Sequence, residues 1–273
     1  MYAIQENLKL WEQRLLQANI ENARQEVFFL CKELVGLDKV NLLTQDTFTK
    51  KQFKILERAV VRRSLHIPLQ SIIGFSDFCG LKIIESRHTL TPRPETEVLV
   101  EKVAENGKGN KVLDLCAGSG CVGLALKSMG FHDVTLADIS QRALSMARKN
   151  AKLNGLEVKY LRTDMFNNVT STYDIIVSNP PYIPSGDIKS LTKEVKKFDP
   201  KRALDGGQDG LKFYRIIADI APQFLTRQGK IYLEIGKGQE EDVVALLEEN
   251  FENITVIKDY AGVNRIIKAD LKC

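Results

Sequence analysis

No apolar run approaches the roughly 18 residues needed to cross a bilayer. The opening stretch, Met1-Tyr2-Ala3-Ile4-Gln5-Glu6, has no basic segment leading into an apolar one, nor the Arg-rich pattern of a transit peptide. A cytoplasmic protein is expected, with no membrane partner. The five cysteines (31, 79, 116, 121 and 273) form no C-x-x-C pair, and the three histidines (66, 88 and 132) stand apart from them. A disulfide framework or a zinc site is therefore not expected, and no metal is assigned. Internal repeats and low-complexity tracts are absent. So is a strong excess of either charge: the formal net charge of +4 falls short of the basic surplus usual in a nucleic-acid-binding domain, and no stable nucleic-acid complex is expected.

What is present is ordinary for a soluble globular protein: 273 residues, 44% hydrophobic and 27% charged, a length that allows one or two domains. The two parts of the chain have different rhythms. Over residues 1–65 the apolar positions recur at spacings of three and four: Leu8, Trp11, Leu15 and Leu16, then Val27, Leu30, Cys31, Leu34 and Val35, then Phe53, Leu56, Val60 and Val61. This is the period of amphipathic helices. About three helices are predicted, broken near Asn19-Ile20-Glu21 and Gly36-Leu37-Asp38, and stopped at His66-Ile67-Pro68 because a residue before proline avoids helical backbone. Short apolar runs at Ile72-Ile73-Gly74-Phe75 and Leu81-Lys82-Ile83-Ile84 are read as a linking hairpin. The organisation expected is a helical domain over 1–70, a β-hairpin linker over 71–90 and a catalytic domain over 91–273.

From residue 91 onward, strand-like runs at 111–116, 133–138, 157–162, 174–178, 230–235, 254–258 and 265–269 alternate with amphipathic stretches such as 141–154 and 239–250. Alternating strand and helix implies an α/β fold with a mostly parallel sheet covered on both faces. One basic stretch stands out in the helical part: Lys50, Lys51, Lys54, Arg58, Arg62 and Arg63, with Glu57 the only acid. Lys51, Lys54, Arg58 and Arg62 share one helical face. That face reads either as plain solvated surface or as a docking surface for an acidic or ribosome-associated partner.

Two motifs carry chemistry. The first is Asp114-Leu115-Cys116-Ala117-Gly118-Ser119-Gly120-Cys121-Val122-Gly123, a strand end, a glycine turn and a helix start. Glycines at 118 and 120 let the backbone approach a ligand closely. Asp138, at the end of the next strand, can accept the two hydroxyls of a ribose. The spacing Gly118-x-Gly120-x-x-Gly123 also fits a dinucleotide fingerprint, so a dehydrogenase stays open. Asp114 argues against it: a carboxylate at the mouth of the turn repels a pyrophosphate and suits an ammonium group, such as that of S-adenosylmethionine. The second motif, Asn179-Pro180-Pro181-Tyr182, follows a strand directly, so in a parallel sheet it shares the ligand crevice with the glycine turn. Two prolines stiffen it. An amide or exocyclic amine is a weak nucleophile, because its lone pair is delocalised. The Asn179 side-chain carbonyl and the Pro180 backbone carbonyl can each accept one N–H of such a group, aiming its lone pair at a sulfonium methyl and stabilising the charge that grows on nitrogen. Tyr182 can close one wall.

These residues resemble the class I methyltransferases that modify planar NH2 groups, among them adenine-N6 and protein glutamine-N5 enzymes. Leu90-Thr91-Pro92-Arg93-Pro94-Glu95-Thr96-Glu97 is similar to the segment before the first helix of the catalytic domain in the HemK/PrmC family of release-factor glutamine methyltransferases. The likeness extends over the helical N-terminal part and over Pro68–Gly74, Phe198-Asp199-Pro200, Ala203-Leu204-Asp205-Gly206-Gly207, Leu233-Glu234-Ile235-Gly236 and Asp259-Tyr260-Ala261-Gly262.

The resemblance implies a Rossmann-like seven-stranded methyltransferase domain behind an all-helical domain. It implies S-adenosyl-L-methionine as cofactor and the Gly-Gly-Gln glutamine of class 1 peptide-chain release factors as substrate. Residue by residue, it implies that Cys116, Ala117, Gly118, Ser119 and Gly120 line the methionine and ribose, that Asp138 binds the ribose, and that Asp164 accepts the adenine amino group with Met165 packed near the ring. Arg93, Glu95 and Thr96 border the entrance, Asn179 through Tyr182 hold the substrate, and the helical domain recognises the partner. A ribosomal-protein glutamine, an adenine base, or a non-catalytic binding role remain as alternatives.

Two positions depart from the family pattern: Cys116 stands where the family has glycine, and Met165 where it often has an aromatic residue. The chain also carries its own Gly206-Gly207-Gln208, but a glycine pair is usual there in the family, so this is not taken as a self-substrate.

Overall fold

The structure is a computed structural model and describes residues 2–105, 111–192, 195–196 and 199–272; Phe198 and Cys273 fall outside the described residues. The chain divides into two compact units, residues 1–75 and 76–273.

The first unit is helical: α1 (Ile4–Gln17), α2 (Ala23–Val35), α3 (Lys39–Thr44), α4 (Lys50–Ser64) and α5 (Leu69–Ile73). Its breaks are chemical. Asn19 sits at a φ of 59° and Gly36 ends α2 at a φ of 69°, left-handed positions that stop a helix. Asp38 with Asn41, and Thr49 with Gln52, form reciprocal caps at the starts of α3 and α4, the pairing that satisfies orphan N–H groups. The buried stripe of α1 is Ile4, Leu8, Trp11 and Leu15, and Trp11 packs against Phe48 and Phe53. Leu16, read as part of that stripe, is exposed.

On α4, Lys51, Lys54, Arg58 and Arg62 are exposed, whereas Arg63 turns inward and pairs with Glu26 of α2. Glu57 is engaged by Arg14 and by the Trp11 Nε1–H. The expected hairpin starts later than the apolar run suggests: residues 69–73 are helix α5, opened by Pro68 and closed by Gly74 at a φ of 98°. A short apolar run carries no period to separate helix from strand. The hairpin proper is β1 (Phe75–Phe78) and β2 (Leu81–Ile84).

The second unit holds α6 (Pro94–Ala104), β3 (Lys111–Leu115), α7 (Cys121–Ser128), β4 (Asp133–Asp138), α8 (Gln141–Leu153), β5 (Lys159–Arg162), β6 (Tyr173–Ser178), α9 (Lys212–Ile220), β7 (Leu225–Glu234), α10 (Glu240–Leu247), β8 (Phe251–Lys258) and β9 (Asn264–Leu271). The seven strands from β3 to β9 form one sheet in the order β5-β4-β3-β6-β7-β9-β8. All pairs are parallel except those made by β9. Successive residues of a strand feed opposite faces. Val112 joins an apolar layer with Leu99 of α6, Leu124 of α7 and Ala147 of α8, while Leu113 and Leu115 join a second layer with Tyr214 and Ile217 of α9 and Leu247 of α10. The α/β architecture expected from the alternating pattern, with helices on both faces of a seven-stranded sheet, is the one observed. Reversal of strand order beside β3 places the ends of β3, β4 and β6 around one crevice, where open α/β sheets bind ligands. Among the described residues no helix is long and apolar enough to cross a membrane.

Candidate active site

Beyond the end of β3 the backbone turns through Cys116, Gly118 and Gly120 at φ values of 63°, 57° and 79°. Glycine serves two purposes here. A Cβ on Gly120 would lie 2.8 Å from Leu136 and 3.0 Å from Ala147, so α7 can sit against β4 and α8 only without one. A Cβ on Gly118 would meet nothing closer than 3.9 Å; this glycine supplies the left-handed turn and bare backbone facing the crevice.

The Gly118 N–H donates to Asp138 Oδ2 at 2.9 Å and the Ser140 N–H to Oδ1 at 2.7 Å. Burial raises the Asp138 pKa, while these two N–H groups and the charge of Arg202 act in the opposite sense. Each carboxylate oxygen keeps further acceptor capacity. The turn is braced from behind by Asn150. Its Nδ2 donates to Ser119 O at 2.9 Å and its Oδ1 accepts from the Ile84 N–H at 2.9 Å. This fully buried amide was missed in the sequence; its signal is a polar residue on the apolar face of α8.

Asp114 lies on the cavity wall but is largely covered. It is 2% exposed, and its Oδ2 accepts the Gly123 N–H at 2.9 Å, which ties the first turn of α7 to β3. Burial pushes its pKa up to about 7, against the Gly123 hydrogen bond and with help from the Asp138 charge. A Cβ on Gly123 would sit 2.2 Å from Leu136 and 3.0 Å from the Asp114 carboxylate, so the third glycine of the fingerprint serves packing.

The crevice opens into a cavity of about 590 Å³, within the ordinary range for a small-molecule site. Of the residues singled out in the sequence, Arg93, Thr96, Asp114, Cys116, Ala117, Gly118, Ser119, Asp138, Asp164, Met165, Asn179 and Pro181 line it. Gly120, Glu95, Pro180 and Tyr182 do not. Gly120 lies beneath the turn and Glu95 is exposed. The Tyr182 ring packs against the second apolar layer, where burial pushes its hydroxyl up to about 12. Cys116 and Met165, the two departures from the family pattern, touch: Sγ and Sδ are 3.9 Å apart. Burial raises the Cys116 and Cys121 thiol pKa values, so both remain protonated and serve as small packing groups.

Arg93 is tethered rather than free, with its guanidinium 2.8 Å from Asp199 Oδ2. The Thr91 N–H also reaches Asp199, and the Thr91 hydroxyl donates to Glu85. Residues 85–93 thus form a pinned border to the cavity.

Asn179, at the end of β6, donates from Nδ2 to Thr96 Oγ1 at 3.3 Å, and Thr96 in turn donates to Glu234 Oε2 at 2.7 Å. Among the described residues no hydrogen bond engages Asn179 Oδ1 or the Pro180 carbonyl. Behind the loop, Gln239 Nε2 donates to Tyr182 O at 3.0 Å. A Cβ on Gly206 would lie 2.8 Å from both Pro181 O and Tyr182 Cα. The glycine pair at 206–207 is therefore a support for this loop.

The comparisons identify the family. The family model described as methyltransferase small domain matches residues 93–198, and that described as PrmC N-terminal domain matches residues 6–74. Curated relatives described as release factor glutamine methyltransferase include one from Thermodesulfovibrio yellowstonii, 40% identical over 90% of this chain and 91% of its own. Another, from Geobacter sulfurreducens, is 36% identical over 93% of this chain and 91% of its own. Among solved structures, a methyltransferase from Pyrococcus furiosus aligns with a TM-score of 0.54 at 17% identity, over 82% of this chain and 98% of that one. A 16S rRNA methyltransferase of T. thermophilus, solved with AdoMet and guanosine, aligns with a TM-score of 0.53 at 22% identity, over 72% of this chain and 50% of that one. At these identities the solved structures speak for the fold alone.

Proposed function

The chain belongs to the release factor glutamine methyltransferase family, and from that premise we propose that it transfers the methyl group of S-adenosyl-L-methionine to the side-chain amide nitrogen of the Gly-Gly-Gln glutamine in class 1 peptide-chain release factors. The observation that carries this reading is the position of Asn179. Its Nδ2 is committed to Thr96, so its Oδ1 faces the cavity that Asp138 and the glycine turn also border.

The residues fit the cofactor. The bare Gly118 backbone and the Asp138 carboxylate suit a ribose, and Asp164 and Met165, which line the cavity, would hold an adenine. When bound there, the cofactor supplies an electrophilic methyl on its sulfonium. The protein's own part is positioning. Asn179 Oδ1 and the Pro180 carbonyl accept the two N–H groups of the glutamine amide, turn its lone pair toward the methyl and oppose the charge that develops on nitrogen. The amide loses its extra proton only after methylation has made it acidic, so no strong base is required. Asp114 anchors α7 through Oδ2 and lines the cavity beside the turn. Cys116 and Met165 fill the floor together.

The helical unit is assigned to recognition of the release factor, with the basic face of α4 as its charged surface. The reading carries a cytoplasmic site of action and no stable nucleic-acid complex. The test incubates purified protein with a release factor and labelled cofactor. One added methyl on the Gly-Gly-Gln glutamine by mass spectrometry is the expected result. Transfer to a ribosomal protein or to adenine, with the release factor untouched, overturns it.

A further inference from the structure

Glu234 ends β7 and is 2% exposed. A carboxylate this deep is costly unless it is hydrogen-bonded and close to a positive charge. Thr96 of α6 supplies one hydrogen bond, at 2.7 Å, the Asn179 side-chain NH2 a second, and Arg265 of β9 the charge. The other groups facing it are Glu95 of α6, Cys121 of α7, Tyr182, and Tyr214 of α9, whose hydroxyl donates to the Glu234 main-chain oxygen at 2.7 Å.

A hydroxyl owns a single proton. Once Thr96 gives that proton to Glu234, it can only accept from Asn179. The Asn179 amide must then turn its NH2 toward Thr96, at 3.3 Å, and its carbonyl oxygen toward the cavity. If Glu234 were replaced by a neutral group that can donate, the Thr96 proton could point either way. The Asn179 amide could then rotate by half a turn. Its NH2 would face the NH2 of the target, donor against donor.

We propose that Glu234 is a positioning residue for methyl transfer: directly and through Thr96, its carboxylate fixes which atom of the Asn179 amide faces the substrate nitrogen. The proposal rests on the function given above and deepens it. The direction of pH dependence follows. Burial, helped by the Glu95 charge and opposed by the Thr96 and Asn179 hydrogen bonds and the Arg265 charge, pushes Glu234 up to about 7. The orienting form is the ionised one, so the rate rises with pH through that region, in which the substrate amide does not titrate.

The test uses the full-length protein, a release factor and labelled S-adenosylmethionine. Glu234→Gln is expected to lower kcat by about 10-fold or more, the lower part of the range for misaiming one polar contact. The dissociation constant of the cofactor and the KM of the release factor should stay within about three-fold on the same grounds, since neither contact is removed. The rise of kcat between pH 6 and 8 should flatten in the variant. Thr96→Val, which leaves the direct contact of Asn179 with Glu234, is expected to lose rate by a smaller factor and Thr96→Ser to recover most of it, and this pair decides the matter should Glu234→Gln fail to fold. A Glu234→Gln or Thr96→Val enzyme with wild-type kcat and an unchanged pH profile overturns the positioning role alone. A wild-type enzyme that leaves the release factor unmodified overturns the function as well.

Discussion

Replacing Glu234 by glutamine should make the protein more stable at neutral pH while leaving its stability in acid nearly alone. The magnitude follows from the burial of the carboxylate. Its pKa stands at about 7 in the folded chain against an ordinary 4.5. Between those values the folded protein holds a proton that the unfolded chain has released. Stability from this group is therefore fully present below about pH 4.5 and lost as pH rises through about 7. At 1.36 kcal/mol per pH unit the loss is about 3 kcal/mol. Glutamine carries no such titration. The difference in unfolding free energy, variant minus wild type, should thus grow by about 3 kcal/mol between pH 4.5 and 7.5. Asp114 titrates in the same region but does so in both proteins and cancels. Urea unfolding followed by far-UV circular dichroism is the suitable assay. The single tryptophan, Trp11, lies in the helical unit and reports on that unit instead. A difference that stays constant with pH refutes the reasoning, for it would mean that folding does not perturb this carboxyl group. A gain in stability joined to a loss in rate would place Glu234 among the strained groups that active sites retain.

Other outcomes follow from the same geometry. Asn179→Ala should fold and bind cofactor by calorimetry yet lose roughly 10²–10³ in kcat, the scale for deleting one aimed polar contact. Asp138→Ala should weaken the cofactor dissociation constant by about 10- to 100-fold in equilibrium dialysis, the worth of a hydrogen bond to a charged group. Gly206→Ala places a Cβ 2.8 Å from Pro181 O and from Tyr182 Cα. It should displace the loop and lower kcat in a methylation assay while cofactor affinity holds. Removing residues 1–75 should leave cofactor affinity within a few-fold and raise the KM for an intact release factor, which steady-state kinetics will show.

Much of this was legible in the sequence because single residues enforce it. The breaks at Asn19 and Gly36, the seven strand runs and the placement of Asp138 and Asn179 at strand ends all follow from turn chemistry and period. Other features were hidden because they depend on contacts far apart in the chain. Nothing local distinguishes Ile72-Ile73 as helix rather than strand. Asp114 reads as a carboxylate at the turn, and only the path of α7 shows that its oxygen is already engaged by Gly123. Thr96, Asn179 and Glu234 lie on three elements, so the chain of protons joining them has no signature in any one segment. Asn150 is the intermediate case, visible as an anomaly on an apolar helix face but interpretable only with its two partners.

Cys116 and Met165, which each break the family pattern, meet through their sulfur atoms at 3.9 Å. Residues in contact do not change independently. Substitutions at the two positions should therefore be non-additive, each changing the packing the other meets at the cavity wall.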